Sequence, residues 1–320
     1  MNRILFLQKS DVLVDQQTFV TKFIEQYLPG VDVTFAGHPS DIPESGQFDI
    51  IITPTLPWFQ DALNKLSGYR WIHFLSAGVE KIWSMPFDKT QIIMSKSSGV
   101  HGSPMSEYAI GAMLYFAKSF GRFQRQSDQA LWHRTWLDEL TNTNLTILGL
   151  GHIGQCIAKR AKAFDMHVTG TLQRLRKVDY VDRVLSIDEI EDALIQTDYL
   201  VICLPLTDAT QGLVNDQFLS KLKKGAVLID ISRGGVVIGE SVINALNSGV
   251  LKGAALDVFE NQPLPPDSEL WRREDILITP HVSGTTPFYL ERALEVFVKN
   301  YHSLRDHQKL ITPVNIDLGY

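Results

Sequence analysis

Short apolar runs alternate with longer amphipathic segments along most of the chain. The first series is RILFLQ (3–8), VDVTFAG (31–37), FDIIIT (48–53), WIHFLSAG (71–78) and QIIMSKS (91–97). The second is LTILGLG (145–151), HVTGTL (167–172), YLVICLPL (199–206), AVLIDIS (226–232), GAALDVF (253–259) and ILITPHV (276–282). Buried strands separated by helices are typical of parallel sheets, so the pattern predicts an α/β protein with a parallel sheet in each half.

Three helices are predicted from the pattern, and the last two lie near the expected domain boundaries. The segment TFVTKFIEQYL puts Phe19, Phe23, Ile24 and Tyr27 on one apolar face. A long helix is predicted over 103–126, with Ser103 as N-cap and Pro104 at its first position, and another over 287–304. We expect a discontinuous domain of residues 1–98 plus 286–320, a second domain of 99–285 inserted into it, and a cleft between the two.

Composition narrows the possible functions. The 320 residues suit two domains, and a net charge of −6 makes nucleic acid an improbable partner. No apolar run approaches the ~20 residues that cross a bilayer, and the N-terminus has no signal-peptide pattern, so a cytoplasmic protein is expected. Cys156 and Cys203 are too few for a disulfide framework or zinc site; we interpret them as core thiols and expect no metal.

A glycine-rich turn follows the first strand of the second series. Gly149, Gly151 and Gly154 have G-x-G-x-x-G spacing between an apolar strand and an amphipathic helix. The first glycine allows a tight turn, the second lets a pyrophosphate approach the backbone, and the third permits close helix–strand packing. Helix N–H groups then bind the phosphates, so the segment predicts a dinucleotide site.

The end of the next strand lacks the acidic residue that usually holds the ribose of NAD. That position, about 20 residues on, reads Leu172, Gln173 and Arg174, followed by Arg176. An arginine grips phosphate with two N–H groups, whereas a carboxylate repels it. Arg174 therefore favours NADP(H), with NAD(H) still possible, and Arg176 is expected in a solvated loop.

Polar residues also follow the later strands of the series. Arg233 follows the strand VLIDIS, and His281 follows ILITP. Three polar residues follow GAAL, namely Asp257, Glu260 and Gln262. Open parallel sheets bind ligands at this edge. Hydride transfer to a 2-oxo acid fits these residue types: Arg233 would hold the carboxylate in a bidentate pair, and His281 would donate a proton to the carbonyl oxygen.

The sequence resembles the D-isomer-specific 2-hydroxyacid dehydrogenases. The resemblance rests on SAGVEKI (76–82), GLGHIG (149–154), CLPLTDATQGLVN (203–215), DISRGGVV (230–237), GAALDVFENQPLP (253–265) and TPHVSGTT (279–286), in that order. GVHGSPMSEYA (99–109) and the missing acid are most similar to the glyoxylate/hydroxypyruvate reductase branch. The resemblance implies two Rossmann- or flavodoxin-like domains and a homodimer formed through the nucleotide-binding half, with the helix after Pro104 at the contact.

The resemblance also implies roles for individual residues. Arg233 would bind the substrate carboxylate together with the backbone of Ala77 and Gly78, and His281 would be the catalytic proton donor. Asp257 would contact the nicotinamide carboxamide. The remaining cofactor positions implied are Gly149, Gly151, His152, Ile153, Gly154, Gln173, Arg174, Pro205, Ile231 and Gly284.

One position departs from the family pattern. The family usually has a Glu that orients and charges the catalytic His, and here that position is Gln262. Gln can orient the ring but cannot stabilise its protonated form by charge, so reduction should be favoured at lower pH than in Glu-bearing relatives. Glu260 could substitute, although the strand-end register argues against it. Formate dehydrogenases also carry Gln there, but their other hallmark segments are not evident.

Two questions stay open from the sequence. The loss of Glu leaves an alternative function as a catalytically weak NADP(H) sensor or corepressor-like protein, which the retention of both Arg233 and His281 argues against. Substrate side-chain specificity is also unassigned. Trp83, Met85, His101 and Trp136 could shape the pocket, but the tryptophans could equally be core or interface residues.

Overall fold

The computed structural model describes residues 3–44, 46–79 and 82–315, so Glu80 and Lys81 of SAGVEKI lie outside the described residues. The chain forms two compact units, residues 1–100 with 286–320, and residues 101–285. Helices in the described ranges are all too short or too polar to span a bilayer.

Fourteen strands are found in the described part of the chain. They are β1 (Arg3–Leu7), β2 (Asp32–Ala36), β3 (Gly46–Gln47), β4 (Ile50–Thr53), β5 (Leu66–Gly68), β6 (Trp71–Phe74), β7 (Ile93–Lys96), β8 (Asn144–Leu148), β9 (His167–Thr171), β10 (Arg183–Leu185), β11 (Tyr199–Ile202), β12 (Ala226–Asp230), β13 (Leu251–Leu256) and β14 (Ile276–Ile278).

Nine α-helices accompany these strands within the described residues. They are α1 (Ser10–Tyr27), α2 (Phe59–Asn64), α3 (Gly102–Ala117), α4 (Phe120–Asp128), α5 (His152–Lys162), α6 (Glu191–Leu194), α7 (Asp216–Leu219), α8 (Gly239–Asn247) and α9 (Tyr289–Arg305).

The first unit is built on a five-stranded parallel sheet in the order β2-β1-β4-β6-β7, with a small parallel pair β3–β5 beside it. Central strands such as Ile50–Thr53 are buried along their whole length, as expected when helices cover both faces of a sheet. α1 and α9 pack on one face of the sheet, where Trp71 stacks on Phe297 with ring centroids 5.0 Å apart. The strand order is that of flavodoxin-like folds.

The second unit contains a seven-stranded parallel sheet in the order β10-β9-β8-β11-β12-β13-β14. The order runs outward in both directions from β8, so the topological switch point lies between β8 and β11. This is the Rossmann order, in which ligands bind beyond the carboxyl ends of the strands on either side of the switch. The predicted α/β fold with parallel sheets is confirmed.

Two helix predictions need correction. The segment predicted as one helix over 103–126 is two helices, α3 and α4, because Ser119 adopts a left-handed conformation with φ of 52°. α3 begins at Gly102 with His101 as N-cap, so Ser103 is inside the helix and does not cap it. The helix predicted to begin at 287 starts at Tyr289.

The prediction that four residues form a buried apolar face on α1 is correct for two of them. Phe23 and Ile24 are buried, whereas Phe19 and Tyr27 are substantially exposed. Their rings pack on Phe23 from either side, with centroids 5.9 and 4.6 Å from it. Helical periodicity identifies the side of a helix, but the depth at which each side chain is buried depends on what packs above it.

Candidate functional site

The candidate residues of the second unit follow the carboxyl ends of its strands. The phosphate loop comes after β8, Arg174 after β9, Arg233 after β12, Asp257 after β13 and His281 after β14. Because these strands are parallel neighbours, all of these segments leave the same edge of the sheet.

The phosphate loop has the geometry that its glycine spacing predicts. Gly149 has φ of 100°, a left-handed conformation that a side chain would strain, and its N–H donates to Thr171 Oγ1 at 3.0 Å. A Cβ on Gly154 would lie 2.1 Å from Gly149 O, so only glycine allows α5 to pack this closely. A Cβ on Gly151 would meet nothing within 4 Å, which leaves open space in front of the backbone at the helix N-terminus.

That open N-terminus can hold an anion. The N-cap of α5 is Gly151, which has no side chain to accept a hydrogen bond from the first N–H groups of the helix. A dinucleotide pyrophosphate fits this arrangement, since the helix dipole and free N–H groups both favour negative charge. His152 is exposed, and its Nε2 lies 3.8 Å from Cys156 Sγ, whereas Ile153 packs against the core.

Gln173 and Arg174 are exposed beyond the end of β9, next to the phosphate loop on β8. Arg174 forms no ion pair with any described residue, and the same holds for Arg176. The guanidinium of Arg174 is therefore not used by the fold in the described part of the chain.

The other predicted cofactor positions differ in accessibility. Pro205 is exposed after β11, and its carbonyl accepts from Thr210 Oγ1 at 2.6 Å. The Ile231 side chain is buried in the hydrophobic core, so only its backbone could reach a ligand. The Gly284 carbonyl lies 3.2 Å from His101 Nδ1.

His281 and Gln262 contact each other directly. Gln262 Nε2 donates to Phe259 O at 3.1 Å, which turns Oε1 toward the imidazole, where it lies 2.9 Å from His281 Nδ1. Nδ1 must then be the donor, which leaves Nε2 as the ring nitrogen that can carry or release a proton toward a ligand. Glu260, by contrast, lines a different cavity, so the amide and not the neighbouring carboxylate is the partner of the histidine.

The loop that carries His281 is held by Asp257. This carboxylate is fully buried and accepts from Val282 N at 2.8 Å, Ser283 N at 2.9 Å and Thr279 Oγ1 at 2.6 Å. His281 itself has φ of 55°, in a region that non-glycine residues rarely occupy. Strain of this kind persists only where the surroundings enforce it, and here the surroundings are the Asp257 hydrogen bonds.

Sequence reasoning missed two residues that support this loop. Tyr108 on α3 has its hydroxyl 2.7 Å from Thr279 Oγ1, and burial raises the pKa of Tyr108 to about 12. Thr279 thus connects a partly buried tyrosine to Asp257. The only sequence signal was a threonine at a strand end, which is too common to point to a function.

Arg233 is exposed, and its Nη1 donates to Ser232 O at 2.9 Å. Burial lowers the pKa of His101, and the nearby charge of Arg233 adds to that effect. His101 therefore lies within electrostatic range of Arg233 and is joined to the loop after β14 through Gly284. Of the four pocket-shaping candidates, this is the one that lies in the second unit beside the candidate site.

The other candidates are placed elsewhere. Ala77 and Gly78 follow β6 in the first unit, and the preceding Ser76 carbonyl accepts from Ser97 N at 3.3 Å. Trp83 and Met85 pack against the core of that unit. Trp136 is 99% exposed in the second unit and belongs to no core.

The structure shows where the two cysteines lie and how the possible metal ligands are arranged. Cys203 Sγ lies 3.0 Å from Gly149 O, and burial raises its pKa to about 12, so it is an inert thiol packed under the phosphate loop. Cys156 is partly buried on α5. Among the described residues, no three His, Cys, Asp or Glu side chains are grouped so that they could hold a metal ion.

Comparison with protein families identifies the second unit. Residues 110–283 match the family described as D-isomer specific 2-hydroxyacid dehydrogenase, NAD binding domain. The chain belongs to the D-isomer-specific 2-hydroxyacid dehydrogenases. The resemblance identified from the sequence motifs is thus confirmed.

Individual proteins similar to this 2-hydroxyacid dehydrogenase cover between about half and nearly all of the chain. A glyoxylate reductase of Thermofilum pendens is 30% identical over 70% of this chain and 68% of its own length. A family protein from Aeromonas salmonicida superposes with a TM-score of 0.86 at 29% identity, covering 98% of this chain and 99% of that one. The apo form of an NADPH-dependent glyoxylate/hydroxypyruvate reductase from Sinorhizobium meliloti is 30% identical, with a TM-score of 0.56 over 58% of this chain and 96% of that one.

Proposed function

We propose that this dehydrogenase reduces a small 2-oxo acid of the glyoxylate or hydroxypyruvate type to the D-2-hydroxy acid, with NADPH favoured over NADH. The observation that carries the proposal is the hydrogen bond between Gln262 Oε1 and His281 Nδ1 at 2.9 Å. It fixes an imidazole at a strand end with Nε2 available for proton transfer, in a unit that has a dinucleotide loop. The names of the Thermofilum and Sinorhizobium relatives support the substrate class.

Each residue has a distinct task in the proposed reaction. Arg233 binds the substrate carboxylate through its guanidinium, which fixes the neighbouring carbonyl, and the backbone N–H groups of Ala77 and Gly78 add to that carboxylate site. His281 Nε2 donates a proton to the carbonyl oxygen as this oxygen gains negative charge. A reduced nicotinamide, when bound, supplies the hydride. Gln262 keeps the ring in the donating orientation.

The loop around His281 is proposed to be preorganised by Asp257. Three hydrogen bonds to a fully buried carboxylate leave the loop little freedom, so the imidazole does not have to be ordered when a substrate binds. Preorganised groups lower the activation barrier because no reorganisation is needed during the reaction. Contact between Asp257 and the carboxamide of the cofactor remains part of the proposal.

The cofactor preference rests on Arg174. It is exposed, lies beyond β9 beside the phosphate loop, and forms no ion pair with a described residue. No acidic side chain stands in LQRLRK (172–177) to accept ribose hydroxyls. A 2′-phosphate would give Arg174 its partner.

The test follows absorbance of the reduced nicotinamide with NADPH and NADH separately, across glyoxylate, hydroxypyruvate, pyruvate and phenylpyruvate. We expect turnover with a small 2-oxo acid, faster with NADPH, and loss of turnover in His281→Gln with cofactor affinity retained. Tight cofactor binding without turnover of any acid would contradict the reductase and favour the sensor. Faster turnover with NADH would contradict the role of Arg174 alone.

We also propose a homodimer formed through the second unit. Trp132 and Trp136 are 96% and 99% exposed, and Leu131 and Leu137 add apolar surface to the same segment. Soluble proteins rarely leave such an apolar patch exposed to water unless it binds a partner.

Light scattering should give the mass of two chains for the natural protein. The double variant Trp132→Ser with Trp136→Ser should give the mass of one chain. Val14→Ser on α1, which removes a single exposed apolar residue of the first unit, should stay dimeric.

A further inference from the structure

The hydrogen bond between Gln262 and His281 lies in a cavity of about 410 Å³ in the second unit. Apart from these two residues and Asp257, the residues that line the cavity are all apolar, and the largest of them is Trp271. The proposed reaction gives this tryptophan no task, although its ring lines the same cavity as the proton donor.

Trp271 makes one specific polar contact. Its indole Nε1–H donates to Pro265 O at 2.9 Å, and the same carbonyl accepts from Ser268 N at 3.1 Å. The ring is 50% exposed, yet its N–H is directed to a backbone carbonyl of the chain. Pro265 O is therefore held by two donors, one from the backbone and one from the indole.

The turn that carries Trp271 is itself anchored. A 3-10 helix, Glu269–Arg272, buries Leu270 in the core of the second unit. Arg273, the next residue, donates two hydrogen bonds to the carboxylate of Asp275, at 2.7 and 2.8 Å. The backbone is thus fixed on both sides of Trp271, so its indole is presented from a rigid support.

The segment 259–265, which carries Gln262, is held at both ends. At its first residue Gly234 packs so closely that an added Cβ would lie 1.9 Å from Phe259 O. At its last residue the indole N–H holds Pro265 O. Gln262 lies in the middle of the segment, and its Nε2 donates to Phe259 O at 3.1 Å. A shift of either end would therefore move the amide of Gln262.

We propose that Trp271 is a positioning residue: its hydrogen bond to Pro265 O keeps Gln262 Oε1 on His281 Nδ1. The inference rests on the proposed function, because it assigns Trp271 a part in the proton transfer of His281. Without the indole N–H, the segment gains freedom and Nδ1 loses its fixed acceptor. The proton of the neutral ring is then free to occupy either nitrogen, and the ring is no longer held in the donating orientation.

The first test reads the ring of His281 directly. ¹⁵N NMR of the full chain labelled at histidine is recorded at pH 9 without cofactor or 2-oxo acid, and the signals of His281 are identified by their absence in His281→Gln. We expect a single tautomer with the proton on Nδ1 in the natural chain. Trp271→Phe, which keeps an aromatic ring but has no N–H donor, should give a mixture of the two tautomers.

The matched control is Trp58→Phe, which makes the same change in the first unit, at a partly buried tryptophan packed against that unit's core. It should keep the Nδ1–H tautomer. A Trp271→Phe variant that also keeps the Nδ1–H tautomer would overturn the proposal, as would equal loss of that tautomer in both variants. Because neither cofactor nor substrate is present, this result does not depend on whether the proposed reaction occurs.

Turnover gives a second measurement, with the best 2-oxo acid as substrate. Trp271→Phe should lower kcat about three- to tenfold, the range expected for loss of one neutral hydrogen bond, and change KM by less than about twofold because Arg233 binds the carboxylate. In a Gln262→Ala background the same change should have no further effect, since the amide that Trp271 positions is absent. An equal fall of kcat in both backgrounds, or a rise in KM alone, would show a general structural role and overturn the proposal.

Discussion

Replacing Gln262 by Glu tests the assignment of His281 as the proton donor. The change puts a carboxylate oxygen where the amide Oε1 now lies 2.9 Å from His281 Nδ1, with no change in side-chain length. A negative charge there stabilises the protonated imidazole. Reduction needs that protonated form, so activity in Gln262→Glu should persist to higher pH than in the natural chain.

The magnitude follows from the exposure of the pair. Both side chains are exposed, so solvent screening applies, and two unit charges about 4 Å apart in water interact by about 1 kcal/mol. Since one pH unit corresponds to about 1.4 kcal/mol, the alkaline limb of the reduction profile should move up by about 0.7 unit. Exclusion of water by bound ligands would enlarge the shift.

The assay is kcat/KM for reduction of the best 2-oxo acid between pH 5 and 10. Asn261→Asp is the matched control: it makes the same amide-to-carboxylate change one residue away, but Asn261 lines the other cavity and not the one that holds His281. Its profile should remain where the natural one is. An alkaline limb that does not move in Gln262→Glu, or that moves equally in both variants, would refute the argument.

Three further predictions concern the phosphate loop, the cofactor and pH stability. Gly154→Ala should lower Tm by several degrees, because its Cβ would lie 2.1 Å from a backbone oxygen. In Gly151→Ala the added Cβ meets nothing within 4 Å, so this variant should keep its Tm while binding the cofactor more weakly. Equal losses of Tm in the two variants would contradict this interpretation of the loop. Arg174→Ala should raise KM for NADPH about 10- to 100-fold with little effect on NADH, whereas Arg176→Ala should change neither by more than about twofold. Burial lowers the pKa of His73 to about 3, and its value in the unfolded chain is about 6.5, so stability is full above pH 6.5 and falls as the pH drops toward 3. Urea unfolding should show a loss of about 2 kcal/mol from His73 between pH 6.5 and 5, and a His73→Gln variant with an equally steep profile would assign the loss to other groups.

The alternation of apolar runs and amphipathic segments was enough to predict parallel α/β sheets in both halves. The reason is that strands covered on both faces must be apolar throughout, and this signature is local to each segment. The phosphate loop was equally predictable, because the positive φ of Gly149 and the close packing at Gly154 are steric demands within a single strand–turn–helix. The family motifs were sequence signals too, and the match to the family model confirms the family that they indicated.

Helix continuity was not predictable. The composition of 103–126 gives no warning that Ser119 adopts a left-handed conformation and separates α3 from α4. A single residue with positive φ is fixed by the packing of the two helices around it. The burial of Phe23 beside the exposure of Tyr27 has the same origin, since depth depends on the neighbouring elements.

At the candidate site, the sequence determined which residue types stand at the strand ends, and the tertiary structure decided how they pair. Gln262 and Glu260 are two residues apart, yet the turn after β13 sends one to His281 and the other to the wall of a different cavity. The sequence motifs predict Asp257 as a contact to the nicotinamide, and only the fold shows that the loop of His281 supplies its hydrogen bonds. Such pairings join residues far apart in the chain, and their geometry is set by the register of the parallel strands that bring their ends together.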